Sequence, residues 1–135
     1  MRVKSSARLA ALTAVALVAA AGGTSAQSIT PMRGEIKSFA DKFVVRVYPS
    51  NPYTRRMKVE VKVYDENFAP ITTAAVMPSA AMLAPEDNRS VLVQVPFDGQ
   101  TERRVRICAE SVPFEDKATR LRTQVCGRFL AQRLR

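Results

Sequence analysis

The chain has two cysteines, Cys108 and Cys126, and the residues around them alternate as the two strands of a β-hairpin do. When the strands are folded so that these cysteines face each other, three further pairs form on the opposite face: Val105 with Phe129, Ile107 with Gly127, and Ala109 with Val125. Because strand side chains alternate between two faces, a slip of one residue would put this apolar set in water and separate the sulfurs. The sequence therefore predicts a disulfide across a hairpin formed by its last two strands.

The first 26 residues have the features of a secretory signal. Arg2, Lys4 and Arg8 precede an apolar run over residues 9–21, and small residues follow as far as Ala26. We expect cleavage after Ala26 and export to the periplasm, where cysteines are oxidised. The apolar run is shorter than the roughly 20 residues that a membrane span needs, and no later run approaches that length. We therefore predict a signal peptide over residues 1–26 and one domain, with no membrane span, over residues 27–135.

Beyond the signal, the hydrophobic pattern has a period of two. It is strictest at Met57, Val59, Val61 and Val63, which alternate with charged residues and Tyr64. Turn residues interrupt the pattern every 8 to 12 positions or so, as in sandwiches and barrels. The sequence predicts an all-β domain of about seven strands, within residues 28–38, 42–48, 57–64, 71–77, 89–95, 102–111 and 120–130.

The residue content argues against catalysis. The chain has no histidine, so the commonest general base and the commonest zinc ligand are missing. With both cysteines in a disulfide, no thiolate nucleophile remains. Paired carboxylates at residues 65–66, 86–87 and 115–116 fall in predicted turns, where solvated acidic residues are common. We therefore predict a non-enzymatic protein with no cofactor and no metal site.

Lysine and arginine outnumber aspartate and glutamate by 21 to 12. Loss of the signal leaves about six positive charges in excess, which favours acidic partners. Export separates the protein from nucleic acid, so we expect an acidic protein or an anionic envelope surface instead. In the predicted hairpin Arg106 lies opposite Arg128, with Arg104 diagonal to them. Because like charges directly opposite destabilise a strand pair, this basic face either extends into water or binds an anion.

Five segments of the sequence resemble, in order and spacing, those of one family. They are residues 29–33, 45–52 with its asparagine, 57–64, 83–89 with its Leu-Ala-Pro turn, and 103–113 with its alternating strand and Val-Pro ending. Together they resemble the N-terminal Ig-like domain of periplasmic pilus-assembly chaperones of the chaperone–usher type. The resemblance implies an Ig-like antiparallel β-sandwich and a role in pilus assembly. It also implies a disulfide between the last two strands, which one subfamily has.

The resemblance further implies how a partner binds. In that family the last strand of the domain completes an unfinished pilin by strand addition. The corresponding donor covers residues 119–130, with an apolar row of Leu121, Val125 and Phe129. In the hairpin register this row also faces Val105, Ile107 and Ala109, so the alternative that its members are core residues stays open.

Family chaperones also hold the C-terminal carboxylate of the pilin with two basic residues. The matching positions are Arg33 and either Arg120 or Arg122, and an arginine fork suits a carboxylate because it donates two parallel hydrogen bonds. The family's cleft lies between two domains, of which this sequence matches the first. We therefore expect a pilin-like subunit, or a separate chaperone or usher component, as the partner. Two alternatives are a structural or accessory pilus module that donates no strand, and a basic binder of acidic envelope polymers.

Overall fold

The computed structural model describes residues 27–111 and 122–135, so the predicted signal peptide lies outside the described residues. The described part of the chain forms nine strands. They are β1 (Ser28–Thr30), β2 (Arg33–Ser38), β3 (Lys42–Ser50), β4 (Met57–Tyr64), β5 (Ala75–Met77), β6 (Ala80–Leu83), β7 (Val91–Pro96), β8 (Glu102–Ser111) and β9 (Thr123–Arg133). Within these residues, no helix has the length and apolar character needed to cross a bilayer.

The strands form two sheets packed face to face. One sheet has the order β1-β3-β7-β5 and the other β2-β9-β8-β4-β6. Apolar side chains alternate along the strands and meet between the sheets, where the Phe43 and Phe97 ring centroids lie 5.1 Å apart. The all-β sandwich that the sequence predicts is confirmed.

Three details of the predicted sandwich need correction. The single strand expected within residues 28–38 is two strands, because the chain changes sheets at residues 31–32: β1 pairs with β3, and β2 pairs with β9. The second of these pairings is parallel, so the sandwich is not wholly antiparallel. Residues 79–84 carried no strand signal, yet β6 forms there because its backbone pairs with β4. These changes raise the predicted count of about seven strands to nine in the described part of the chain.

The hairpin of β8 and β9 has the register that the sequence predicts. Cys108 lies opposite Cys126, and the two form a disulfide with Cα atoms 4.0 Å apart. Val105 meets Phe129 on the other face, as expected. The disulfide therefore joins the last two strands on the outer face of the five-stranded sheet, where Cys108 is fully buried.

Candidate functional site

The edge of β9 that faces away from β8 is only partly covered. β2 pairs with it from residue 128 to residue 133. Among the described residues, no strand pairs with it over residues 123–127. We call this backbone, which no described strand pairs with over residues 123–127 of β9, the open edge; Gly127 at its end is nonetheless buried. An exposed strand edge presents unpaired amide and carbonyl groups to any extended chain that reaches it.

The direction of the open edge's backbone groups follows from one hydrogen bond. The amide of Arg128 donates to the carbonyl oxygen of Met32 at 2.9 Å, toward the β2 side of β9. Because successive residues of a strand direct their backbone groups to alternate sides, Gln124 and Cys126 direct theirs to the same side as Arg128. Two residues of the open edge therefore offer both an N–H and a C=O group for pairing.

The predicted donor row divides at this edge. Val125 is half-buried on the inner face of the open edge, whereas Phe129 is only 3% exposed and its backbone already pairs with Gly34 of β2. Phe129 is therefore a core residue, and its backbone is not available at the open edge. A Cβ atom on Gly127 would lie 2.8 Å from the Phe129 ring, so glycine makes room for that ring. Leu121 lies outside the described residues.

Three arginines lie side by side on the outer face of the five-stranded sheet. Arg33 of β2 is opposite Arg128 of β9, and Arg128 is opposite Arg106 of β8, as the sequence predicts for the last pair. Opposed residues have Cα atoms about 5 Å apart, so this arginine row (Arg33, Arg128 and Arg106) spans about 10 Å. Within residues 27–111 and 122–135, none of the three forms an ion pair with a carboxylate.

The loop that follows β4 contacts one end of the arginine row. The guanidinium carbon of Arg106 lies 4.4 Å from the Phe68 ring centroid, and its Nε donates to the Glu66 carbonyl oxygen at 3.4 Å. The ring attracts the cation and holds it in place. Arg104, the third member of the predicted basic face, instead lies 3.6 Å from the Glu66 carboxylate and 3.5 Å from that of Glu102. The charge of Arg104 is thus partly balanced within the protein.

An open depression of about 430 Å³ lies over the arginine row. Besides the row, its lining includes the carboxylates of Glu35 and Glu66. Neither of these carboxylates lies within ion-pairing distance of Arg33, Arg106 or Arg128. Arg104, which pairs with Glu66, also lines the depression, so its lining carries more positive than negative charge.

The predicted carboxylate anchor changes in one member. Arg122 precedes Arg128 by six residues, which is about 20 Å along a strand, and Arg128 is the residue opposite Arg33. Arg122 is therefore too far away to share a carboxylate with Arg33, and Arg120 lies outside the described residues. The basic residue that lies beside Arg33 on β9 is Arg128. Sequence reasoning missed this pair because no local pattern indicates that β2 pairs in parallel with β9.

A polar network borders the open edge on the outer face. Glu110 of β8 accepts hydrogen bonds from Lys62 and Tyr64 of β4 and from Gln124 of β9, at 2.8 Å for Lys62 Nζ and 2.9 Å for Gln124 Nε2. Burial alone would raise the pKa of Glu110, but the hydrogen bonds from Lys62 and Tyr64 outweigh it and lower that pKa below 4.5. The bond to Glu110 raises the pKa of Lys62 and that of Tyr64. Sequence reasoning missed this network, although all four side chains occupy outward positions.

The substitution Glu110→Gln should lower stability at neutral pH by at most about 1 kcal/mol, because solvent screens such contacts. The pKa of Glu110 is lower in the folded chain than in the unfolded chain. Its contribution is therefore present above the unfolded pKa, near 4.5, and is lost as the pH falls through the folded value. Melting temperatures of the two proteins should differ at neutral pH and converge once the pH has fallen below the folded pKa of Glu110. A difference in melting temperature that stays constant as the pH falls would contradict the lowered pKa of Glu110.

Solved structures of several proteins share the fold, although no family model and no curated protein matches the sequence. The periplasmic chaperone SfaE has a TM-score of 0.65 and 9% identity, over 80% of this chain and 58% of SfaE. A complex of the Salmonella enterica SafA pilin with the SafB chaperone has a TM-score of 0.65 and 17% identity, over 80% of this chain and 54% of the matched chain. The PapD-like domain 7 of human CEP192 has a TM-score of 0.58 and 12% identity, over 80% of this chain and 84% of the matched chain.

These similarities confirm the predicted resemblance in fold to the N-terminal Ig-like domain of pilus chaperones. The chain spans little more than half the length of the two chaperone structures. Identities between 9% and 17% show the fold alone, and a human protein shares that fold. The function must therefore be argued from the open edge and the arginine row.

Proposed function

We propose that this protein is a periplasmic, non-catalytic, chaperone-like protein that binds a pilin or fimbrial subunit by β-strand addition and so assists pilus assembly. One observation carries the proposal: the open edge of β9 leads directly to the pair Arg33 and Arg128. Strand addition needs an exposed backbone edge and no catalytic group.

A partner strand at the open edge would lie in line with β2. Since β2 begins opposite Arg128, a partner running parallel to β9 along residues 123–127 would end beside Arg33 and Arg128. Its C-terminal carboxylate would meet two guanidinium groups, each able to donate paired, charge-assisted hydrogen bonds. The backbone groups of Gln124 and Cys126 would supply the main-chain hydrogen bonds that hold the strand.

Side chains at the open edge would add selectivity. Val125 is half-buried on the inner face of β9 and packs against the core, so an added strand would cover apolar surface that the domain leaves partly in water. Alternate side chains of the partner would pack beside it, which is how strand addition distinguishes one sequence from another. Leu121, the remaining member of the predicted donor row, lies outside the described residues and is proposed from the sequence alone.

The class of partner and the location are supported by other structures with this fold. They include a chaperone with a pilin and the CsuC–CsuE complex of a chaperone with a tip adhesion subunit. SfaE is a periplasmic chaperone. The same location is expected here from the signal peptide predicted over residues 1–26, with the domain over residues 27–135.

The substitution Gln124→Pro should reduce partner capture at least about tenfold. Proline removes the amide that points to the open edge and obstructs an incoming strand, yet it leaves the β8–β9 hydrogen bonds intact because that amide does not point toward β8. The matched control is Gln124→Ala, which loses the side-chain bond to Glu110 but keeps the amide. Capture is measured by pull-down from the native periplasm with quantitative mass spectrometry, and folding by circular dichroism.

The pull-down separates the proposal from its two rivals. A pilin-like subunit retained by wild type and by Gln124→Ala, but lost by the folded proline variant, supports strand addition. Equal recovery by all three proteins would contradict it. Recovery of an acidic polymer that salt releases would favour the basic binder, and stable assembly without capture of a subunit would favour the structural module.

A further inference from the structure

We infer that the arginine row binds a second carboxylate of the same ligand, so that the preferred partner ends in an aspartate or a glutamate. The inference rests on the proposed function, because it takes the C-terminus of an added strand to lie beside Arg33 and Arg128. It concerns Arg106, the third member of the row. A terminal carboxylate bound by Arg33 and Arg128 would leave Arg106 without a bound anion.

The charges in the row exceed what one carboxylate balances. A carboxylate accepts hydrogen bonds from two guanidinium groups, and Arg33 and Arg128 fill that number. Arg106 lies on β8, on the other side of β9 from the partner's strand, and is directly opposite Arg128. Like charges opposite each other destabilise a strand pair. A second anion between Arg128 and Arg106 would offset that repulsion.

Arg106 is held at this position. Phe68 lies against its guanidinium, and the Glu66 carbonyl accepts from its Nε, but neither contact brings a negative charge. The loop places Phe68 at φ 59°, a left-handed conformation that bulky residues rarely adopt. Asp65 closes the loop by accepting from two backbone amides through its side chain. The loop therefore orders the Arg106 cation at the β8 end of the row instead of letting it extend into water, which favours a bound anion.

The distances and the charges of the lining indicate the size of the ligand. An added strand in line with β2 would lie two strand spacings, about 10 Å, from β8, a distance that the long Arg106 side chain and an acidic side chain on the last residue of that strand can cross together. Glu35 and Glu66 line the same depression, so an extended polyanion would meet like charges around the row. A compact group with two carboxylates, such as a C-terminal aspartate, places its charges on the arginines alone.

The test compares synthetic peptides with the same alternating apolar sequence and a free C-terminus, one ending in aspartate and one in asparagine. Titration calorimetry with the exported protein should show the aspartate peptide binding about five- to tenfold more tightly. Arg106→Gln should abolish this preference, and Phe68→Ala should reduce it because Arg106 loses its support. The matched control Arg46→Gln removes an exposed arginine from the outer face of the other sheet and should preserve the preference. Melting curves establish that each variant is folded.

The outcomes distinguish the inference from the proposed function. Equal binding of both peptides to wild type, or a preference that survives in folded Arg106→Gln and Phe68→Ala, would overturn the inference and leave strand addition standing. Binding of neither peptide would overturn strand addition, and the inference with it. A preference that Arg106→Gln abolishes, Phe68→Ala reduces and Arg46→Gln preserves would establish the second carboxylate site.

Discussion

Replacement of Phe129 by alanine should lower the free energy of unfolding by about 3 to 5 kcal/mol. The ring is 3% exposed and lies between the sheets, next to Gly34 and Gly127. Both neighbours are glycines and cannot extend side chains into the space that the ring leaves, so a cavity remains. Urea denaturation of wild type and variant measures the loss.

The matched control is Val44→Ala, at a valine that is 49% exposed on the outer face of the other sheet. This change should alter stability by less than about 0.5 kcal/mol. A loss below about 1 kcal/mol for Phe129→Ala would contradict its place in the core. The folded fraction of the Phe129 variant should still capture a partner, because Phe129 lies outside the open edge.

Removal of the disulfide, by Cys108→Ala together with Cys126→Ala, should lower stability by about 3 kcal/mol. The bond closes a loop of 18 residues, and without it the unfolded chain gains conformational freedom. In a domain of this size the melting temperature should fall by roughly 10 to 20 °C. Alanine is used because Cys108 is fully buried and a serine there would add an unpaired hydroxyl.

Reductant provides the internal control for the disulfide. Wild type in reductant should melt close to the double variant, and the variant should not respond to reductant. An unchanged melting temperature after substitution would show that the bond does not constrain the unfolded chain. Partner capture at low temperature should persist in the double variant, because Gln124 and Cys126 present the open edge through their backbone.

The β8–β9 hairpin was predictable because its determinants are local. Alternation of side chains fixes which residues share a face, and Cys108 and Cys126 select one register among several. The same reasoning placed Arg106 opposite Arg128. By contrast, the strand count was underestimated at β6, where the small side chains of residues 80–81 carry little strand preference and backbone pairing with β4 decides the conformation.

The candidate site was predictable only in part. Arg33 was predicted to hold a carboxylate together with Arg120 or Arg122, but the arginine opposite it on β9 is Arg128. Arg33 and Arg128 are 95 positions apart in the chain, and no turn sequence between β2 and β9 indicates their parallel pairing. Phe68 and Glu66 were predicted only as turn residues, and their contact with Arg106 depends on how that loop folds back over β8.

The sequence by itself determined the all-β class, the register of the final hairpin, the disulfide and the outward arginines, since each follows from the period of two along a single strand or a single hairpin. Only the tertiary structure decided that β2 covers β9 from Arg128 onward. That pairing buries Phe129, leaves residues 123–127 open and brings Arg33 beside Arg128. The reason is physical, because which strands become neighbours depends on how two whole sheets pack together. The alternation within one strand indicates which side chains share a face, but not which distant strand pairs with it.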